Sequence, residues 1–237
     1  MNKIKKIIFS CVLGSLLITP AIAAENLNDL SDAQLMSLAQ NGDAEAQYKI
    51  GDLYYYGDDE TEQDFHQARI WYEKAAQQNN DDAAYSLGVM YDQGQGVEQS
   101  SKRAFAYYNQ AAMLGSADGM YNLGYMYEIE QDPPNYNQAF FWYSQAEKRG
   151  QCEALNNLGV MYFYGRGVQQ SFKKAFDYYQ KAANLDNSTA QYNLGTLYRD
   201  GKGVAMDKKQ AMKWFAKAAE NGDQDAQNDL NALAQQP

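Results

Sequence analysis

Three short loops carry the residue types that hold phosphates: Gly94-Gln95-Gly96-Val97, Gly165-Arg166-Gly167-Val168 and Gly201-Lys202-Gly203-Val204. A glycine-rich turn that opens a helix offers free backbone N–H groups to an anion. A phosphate loop, however, needs a Lys followed by Ser or Thr after a wider glycine spacing, and Arg166 is followed by Gly167. The loop "GRGVQQSFKKAFDYYQKAA" at 165–183 returns as "GKGVAMDKKQAMKWFAKAA" at 201–219, 36 residues on. Such repetition marks architecture. The loops are read as hinges between antiparallel helices, the first Gly ending one helix in the left-handed conformation and the second permitting the tight turn.

Other reactive groups are sparse. His66 is the single histidine, which removes His-based zinc sites and Ser-His-Asp triads. Pairing it with Cys152 would bring together residues far apart along the chain. Cys152 is expected to be a small, half-buried residue. The acidic run "DDETEQD" at 58–64 lacks the glycine turn and ligand spacing of a calcium loop. It is expected to solvate a loop and favour the start of the following helix. Neither a catalytic constellation nor a metal or cofactor site is predicted.

The elements that hold these loops repeat. The segments "AQYKIGDLYYYG" (46–57), "AAYSLGVMYDQG" (83–94), "GMYNLGYMYEIE" (119–130), "ALNNLGVMYFYG" (154–165) and "AQYNLGTLYRDG" (190–201) align on Gly51, Gly88, Gly124, Gly159 and Gly195, with spacings of 37, 36, 35 and 36. Each is followed by Ala-x-x-aromatic-aromatic-x-x-Ala, as at Ala104, Tyr107, Tyr108 and Ala111. Ala83, Leu87, Met90 and Tyr91 fall on one stripe of a helix, and Ala104, Tyr108, Ala111 and Ala112 on another. Glycine inside a helix costs about 1 kcal/mol relative to Ala. Its return in every unit predicts a neighbouring helix backbone too close for a Cβ. Residues 31–43 match a second helix, with Ser31 and Gln34 spaced as a capping box, and 226–237 match a first helix with Asn228 and Asn231 at the Tyr and Gly positions. These half-units would give the polar ends a stacked array requires. The third unit departs: "YEIEQDPPNYNQAF" (127–140) has no glycine turn, and Pro133-Pro134 are expected to open its second helix.

The opening "MNKIKKIIFSCVLGSLLITPAIAAEN" reads as a secretory signal: Lys3, Lys5 and Lys6, an apolar stretch from Ile7 to Ile18, Pro20, then Ala21-Ile22-Ala23. The stretch falls short of the roughly 20 residues of a spanning helix. Cleavage is expected between Ala23 and Ala24, leaving a periplasmic or secreted bacterial protein with no membrane insertion. Subtracting three lysines from 20 basic residues leaves 17 against 30 acidic, a net charge of −13, which disfavours nucleic acid and anionic membranes. Cys11 leaves with the signal, so Cys152 has no internal partner and stability rests on packing.

The pattern A-x-Y-x-L-G-x-x-Y-x-x-G-x-G-V followed by A-x-x-W/Y-Y-x-K-A-A resembles the Sel-1-like repeat, a relative of the tetratricopeptide repeat. The resemblance implies an all-α, right-handed solenoid of stacked antiparallel helical hairpins, about five repeats plus half-repeat caps. The expected organisation is signal peptide 1–23, linker and capping helix 24–43, repeats 44–223 and capping helix 224–237. It also implies a scaffold or adaptor. Exported members resemble envelope regulators, exopolysaccharide assembly factors, host-interaction proteins and toxin-immunity proteins. A cysteine-rich branch is β-lactamase-like, but it staples each unit with a cysteine pair that is missing here. A cell-wall-active enzyme and a saccharide-binding envelope component, with tyrosines stacked on sugar rings, are the alternative readings.

With tetratricopeptide-like geometry the concave face is lined by positions −3, +1 and +4 relative to the shared Gly. The candidates there are Tyr48, Tyr85, Tyr121 and Tyr192 at −3, Tyr125 and Val160 at +1, and Phe163 and Arg199 at +4. Tyrosine is a favoured interface residue, which points to a protein or peptide partner of a monomeric chain. The −3 tyrosines have an equal alternative, packing between neighbouring units. The varied +1 and +4 columns are expected to carry specificity.

Overall fold

The fold was analysed in a computed structural model that describes residues 27, 30–59 and 61–235. The expected leader and cleavage site lie outside the described residues. Among them are twelve α-helices and one π-helical turn, and no strand. Helix α1 (Asp32–Gln40) precedes five hairpins: α2 (Ala44–Tyr56) with α3 (Phe65–Gln77), α4 (Asp81–Gln93) with α5 (Ser101–Leu114), and α6 (Ala117–Tyr125), extended by the π turn Met126–Glu130, with α7 (Tyr136–Lys148). Helix α8 (Glu153–Tyr164) then pairs with α9 (Phe172–Ala183) and α10 (Ser188–Asp200) with α11 (Lys208–Glu220), before α12 (Gln224–Ala234). Each helix packs on the next in sequence, and first helices also meet across units, α2 with α4 and α4 with α6.

Local chemistry sets the helix limits. Asp43, Asp64, Asn80, Ser100, Ser116, Asn135, Ser171, Asn187, Asp207 and Asp223 each cap a helix by accepting from a first-turn N–H. Gln34 Oε1 accepts from the Ser31 N–H at 3.0 Å, the reciprocal arm of the expected capping box. Asp64, last of the acidic run, receives the N–H groups of His66 and Gln67. Gly94, Gly165 and Gly201 take left-handed φ values of 71°, 71° and 66° as they end α4, α8 and α10.

All five hairpins close on one hydrogen bond, from the capping residue of the second helix to the carbonyl at +3. It joins Asp64 to Tyr54, Ser100 to Tyr91, Asn135 to Tyr127, Ser171 to Tyr162 and Asp207 to Tyr198, at 2.8–2.9 Å. The third unit keeps this bond without its glycines because the π turn lengthens the first helix. Its prolines do not open α7, contrary to the sequence-based expectation. They precede Asn135, which caps a helix starting at Tyr136.

The recurrent helix glycine needs a second correction. A Cβ on Gly88 or Gly159 would lie 2.5 Å from the ring of Tyr108 or Tyr179, and one on Gly195 would lie 2.7 Å from the ring of Phe215. Gly51 and Gly124 face Tyr72 and Tyr143 in the same way. An aromatic ring, rather than a backbone, occupies the space. Burying that ring yields about 1.5–3 kcal/mol, which outweighs the roughly 1 kcal/mol the glycine costs its helix. The flanking Ala68, Ala104, Ala139, Ala175 and Ala211 are fully buried.

The second loop glycine has a role beyond the turn. Gly96, Gly167 and Gly203 lie against the first residue of the preceding unit's second helix, namely Phe65, Tyr136 and Phe172. Positive φ and close packing coincide there, so each glycine sets the spacing between units.

Candidate functional site

The first helices present one common face. Position −3 is half-buried in all four tyrosine cases. Each ring leans on its own unit's glycine-covering aromatic: Tyr48 on Tyr72 and Tyr85 on Tyr108 at 5.9 Å, Tyr121 on Tyr143 and Tyr192 on Phe215 at 5.6 Å. Three of the four hydroxyls reach the following unit, while that of Tyr48 is bonded to Asp52 of its own unit. Tyr85 is hydrogen-bonded to Asn122, Tyr121 to Asn157, and Tyr192 donates to Asp229 at 3.3 Å. At the fourth junction Asn193 Nδ2 donates to Asn156 Oδ1 at 3.1 Å. The −3 column therefore packs within units and bonds between them.

The +4 column is covered by the middle residue of the next unit's Gly-x-Gly loop. Tyr55 donates to Gln95 Oε1, Arg166 donates to Glu128 at 3.3 Å, and the Lys202 ammonium lies 5.3 Å from the Phe163 ring centre. Where no such loop follows, Asp92 is hydrogen-bonded to Tyr108, and Arg199 donates to Asp229 at 2.7 Å. Variation at +4 thus follows its cover. Arg166 also lies 5.4 Å from the Tyr136 ring and 5.0 Å from Tyr164, so the basic residue of the phosphate-like loop joins units.

Position +1 divides. Val160 is half-buried, and Tyr125, at 44% exposure, is the one exposed side chain among the eight predicted residues. Tyr56 (73%), Ile129 (57%) and Tyr164 (61%), all at +5, are also exposed. Positions +1 and +5 share a helical stripe, which exposes large apolar side chains in units one, three and four, while unit two has Val89 and Gln93 there and unit five Thr196 and Asp200. Sequence reasoning missed the +5 column. Its signal was the third Tyr of "YYY" at 54–56.

Electrostatics on this face are acidic. Burial pushes the carboxyl of Asp52 above the ordinary carboxylate range, although it accepts from Tyr72 at 2.6 Å and from Tyr48. Asp82 is raised as well, by burial first and then by Asp81, Glu45, Asp52 and Asp118. Burial raises the phenols of Tyr48, Tyr72, Tyr108, Tyr143 and Tyr179 far above their usual range, so they remain neutral donors. Tyr143 donates to the buried Glu128 at 3.0 Å. No group of three or more metal-ligating residues occurs among the described residues, and no described helix is long and apolar enough to cross a membrane. Cys152 is exposed, contrary to the half-buried expectation: it precedes α8 as its capping residue, with its thiol turned to the Gly150 carbonyl at 3.4 Å.

Stacked hairpins with a patterned first-helix face define a helical-repeat solenoid. The Sel1 repeat family model matches residues 44–80, 81–116, 117–151, 152–187 and 188–223, and the chain belongs to the Sel1 repeat family. Its fold is similar to that of c5321, described as a protective antigen of uropathogenic Escherichia coli with an SLR fold (TM-score 0.81, 32% identity, 86% of this chain). The chain spans 44% of that structure's length. It is also similar to a Sel1 repeat protein from Oxalobacter formigenes (TM-score 0.75, 28% identity, 90% of this chain and 84% of the other). A comparison with curated proteins gives no match.

Proposed function

We propose that this chain is an exported, non-enzymatic scaffold or adaptor that binds another protein through its first-helix face. The observation that carries the reading is the exposed set Tyr56, Tyr125, Ile129 and Tyr164 on a chain whose other rings are largely packed. Apolar rings left uncovered on one stripe are the signature of an interaction site, and Tyr is enriched at such sites. The second helices expose lysines such as Lys173, typical of a solvated surface, with Met113, Leu114 and Phe141 as exposed apolar exceptions on α5 and α7. Export is supported by the leader-like residues 1–23, and the relative described as a protective antigen fits that location.

A photo-crosslinking residue at position 125 tests the binding reading. It should trap a discrete protein in the envelope fraction, while the same residue at Lys209 should not. Equal capture from both positions, or from Lys209 alone, overturns the reading. The intact mass of the exported form should correspond to a chain starting at Ala24, and a chain still starting at Met1 would refute export.

A further inference from the structure

A small cavity of about 130 Å³ opens between the first helices of units one and two. Its walls are Tyr55, Tyr56, Tyr72, Tyr85, Ser86 and Val89. Four of these six are phenols, and Tyr56, at 73% exposure, stands at the mouth. Tyr55 meets Tyr56 edge-on at 4.8 Å and Tyr72 at 6.2 Å, so the rings hold one another in place. Behind the wall the Tyr72 hydroxyl is fixed on Asp52 Oδ1 at 2.6 Å. The pocket is therefore an aromatic recess, with the Asp52 carboxylate behind the Tyr72 hydroxyl and not in its wall.

Charge around it is one-sided. Helices α2 and α4 carry Glu45, Asp52, Asp81, Asp82 and Asp92 against Lys49, whose ammonium lies 3.8 Å from Glu45. Burial raises the carboxyl of Asp52, while Asp82 is raised by burial and then by its acidic neighbours, a repulsion among carboxylates at that end of the face. A cation entering the recess would relieve it. An aromatic face attracts an ammonium or guanidinium within about 6 Å of its centroid. A planar guanidinium also stacks on rings while its N–H groups reach carboxylates.

We propose that this recess is a subsite for a cationic side chain, an arginine foremost, carried by an extended basic segment of the partner that lies along the first-helix face. The inference rests on the proposed use of that face for protein binding and adds the chemistry of the partner. Rings supply contact area, the acidic helices α2 and α4 supply a negative field, and Ser86 supplies a hydroxyl in the wall.

The test is calorimetry of the full chain with a nine-residue peptide bearing Arg at every third position, against the same peptide with neutral citrulline. The Arg peptide should bind saturably, weaken with salt, and bind about tenfold more tightly than the citrulline form. Asp52→Asn retains an acceptor for Tyr72 and Tyr56→Ala alters an exposed ring, so both variants should fold. Each should weaken the Arg peptide about fivefold or more. Glu98→Gln removes the same charge from an exposed loop and should leave binding within a factor of two (about 0.4 kcal/mol). Equal affinity for both peptides, no binding at millimolar peptide, or equal losses in Asp52→Asn and Glu98→Gln would overturn the subsite. If position 125 still crosslinks a partner that Asp52→Asn and Tyr56→Ala bind normally, the subsite fails and the wider reading stands.

Discussion

Gly159→Ala sets two opposing effects against each other. In an exposed helix the change would stabilise by about 1 kcal/mol. Here the added Cβ would lie 2.5 Å from Cδ1 and Cε1 of Tyr179, a buried ring in one apolar cluster with Leu155 of α8 and Leu194 of α10. The ring must tilt off its rotamer or the α8–α9 crossing must widen, which costs about 1–3 kcal/mol in a packed core. With the propensity gain subtracted, a net loss of about 1 kcal/mol is expected, and up to about 2 kcal/mol if α9 cannot shift. Urea unfolding followed by circular dichroism gives the size of the change. Hydrogen exchange gives its place, which should be α8 and α9 before the outer units, because a repeat array senses its neighbours first. Tyr179→Leu is destabilising alone but should partly suppress the effect of Gly159→Ala, giving a favourable coupling in the double-mutant cycle. A more stable Gly159→Ala protein, or strict additivity with Tyr179→Leu, would refute the account of the recurrent glycine.

Gly167→Ala should cost more than Gly165→Ala. Both residues have positive φ, but a Cβ on Gly167 would collide with the Tyr136 carbonyl, whereas one on Gly165 would meet the Gln170 Cβ at 3.2 Å; thermal melts of the two variants decide it. Gln191→Leu should destabilise by about 1–3 kcal/mol, because the fully buried Gln191 donates to Ala183 O at 3.2 Å and accepts from Asn221 at 3.1 Å. Denaturant titration with an unchanged m value would report that loss, and a neutral result would contradict the bridging role. Asp52→Asn should stabilise the protein near pH 7. A carboxyl raised in the folded state favours folding when protonated, a contribution present below its ordinary range and lost as pH rises through the folded value. The advantage over wild type should fade as pH falls below about 4, and melts across pH 3.5–7.5 follow it.

Much of this architecture was legible because a repeat states its rules five times. The five glycines, the Ala stripes and the loop hinges fall where their spacing places them. Spacing reveals that Gly159 needs room, but not that Tyr179 fills it, since a ring and a backbone exclude a Cβ alike. The partnership of Gln95, Arg166 and Lys202 with Tyr55, Glu128 and Phe163 joins residues 38–40 apart in sequence, beyond the reach of local pattern. In the third unit the sequence shows a missing turn, but not the π turn at 126–130 that lengthens the first helix and accompanies the Asn135–Tyr127 bond. On the first-helix face the columns were legible and their exposure was not. Phe163 and Tyr164 are adjacent aromatics, yet the first packs on Phe172 at 5.2 Å and the second stands in solvent.

The most direct test of the central claim is the dissociation constant of the crosslinked partner, measured by calorimetry for three proteins. These are the wild type, Tyr125→Ala with Tyr164→Ala on the first-helix face, and Lys173→Ala with Lys209→Ala on the outer face. Anchoring rings at an interface centre contribute about 2 kcal/mol or more each, so losing one weakens binding about 30-fold, and the first pair should weaken it by roughly 1,000-fold (about 4 kcal/mol) where the two act independently. The second pair should change it by no more than about twofold (0.4 kcal/mol). If both variants keep the helical signal of the wild type and the lysine pair proves the more damaging, the first-helix face is not where this protein binds.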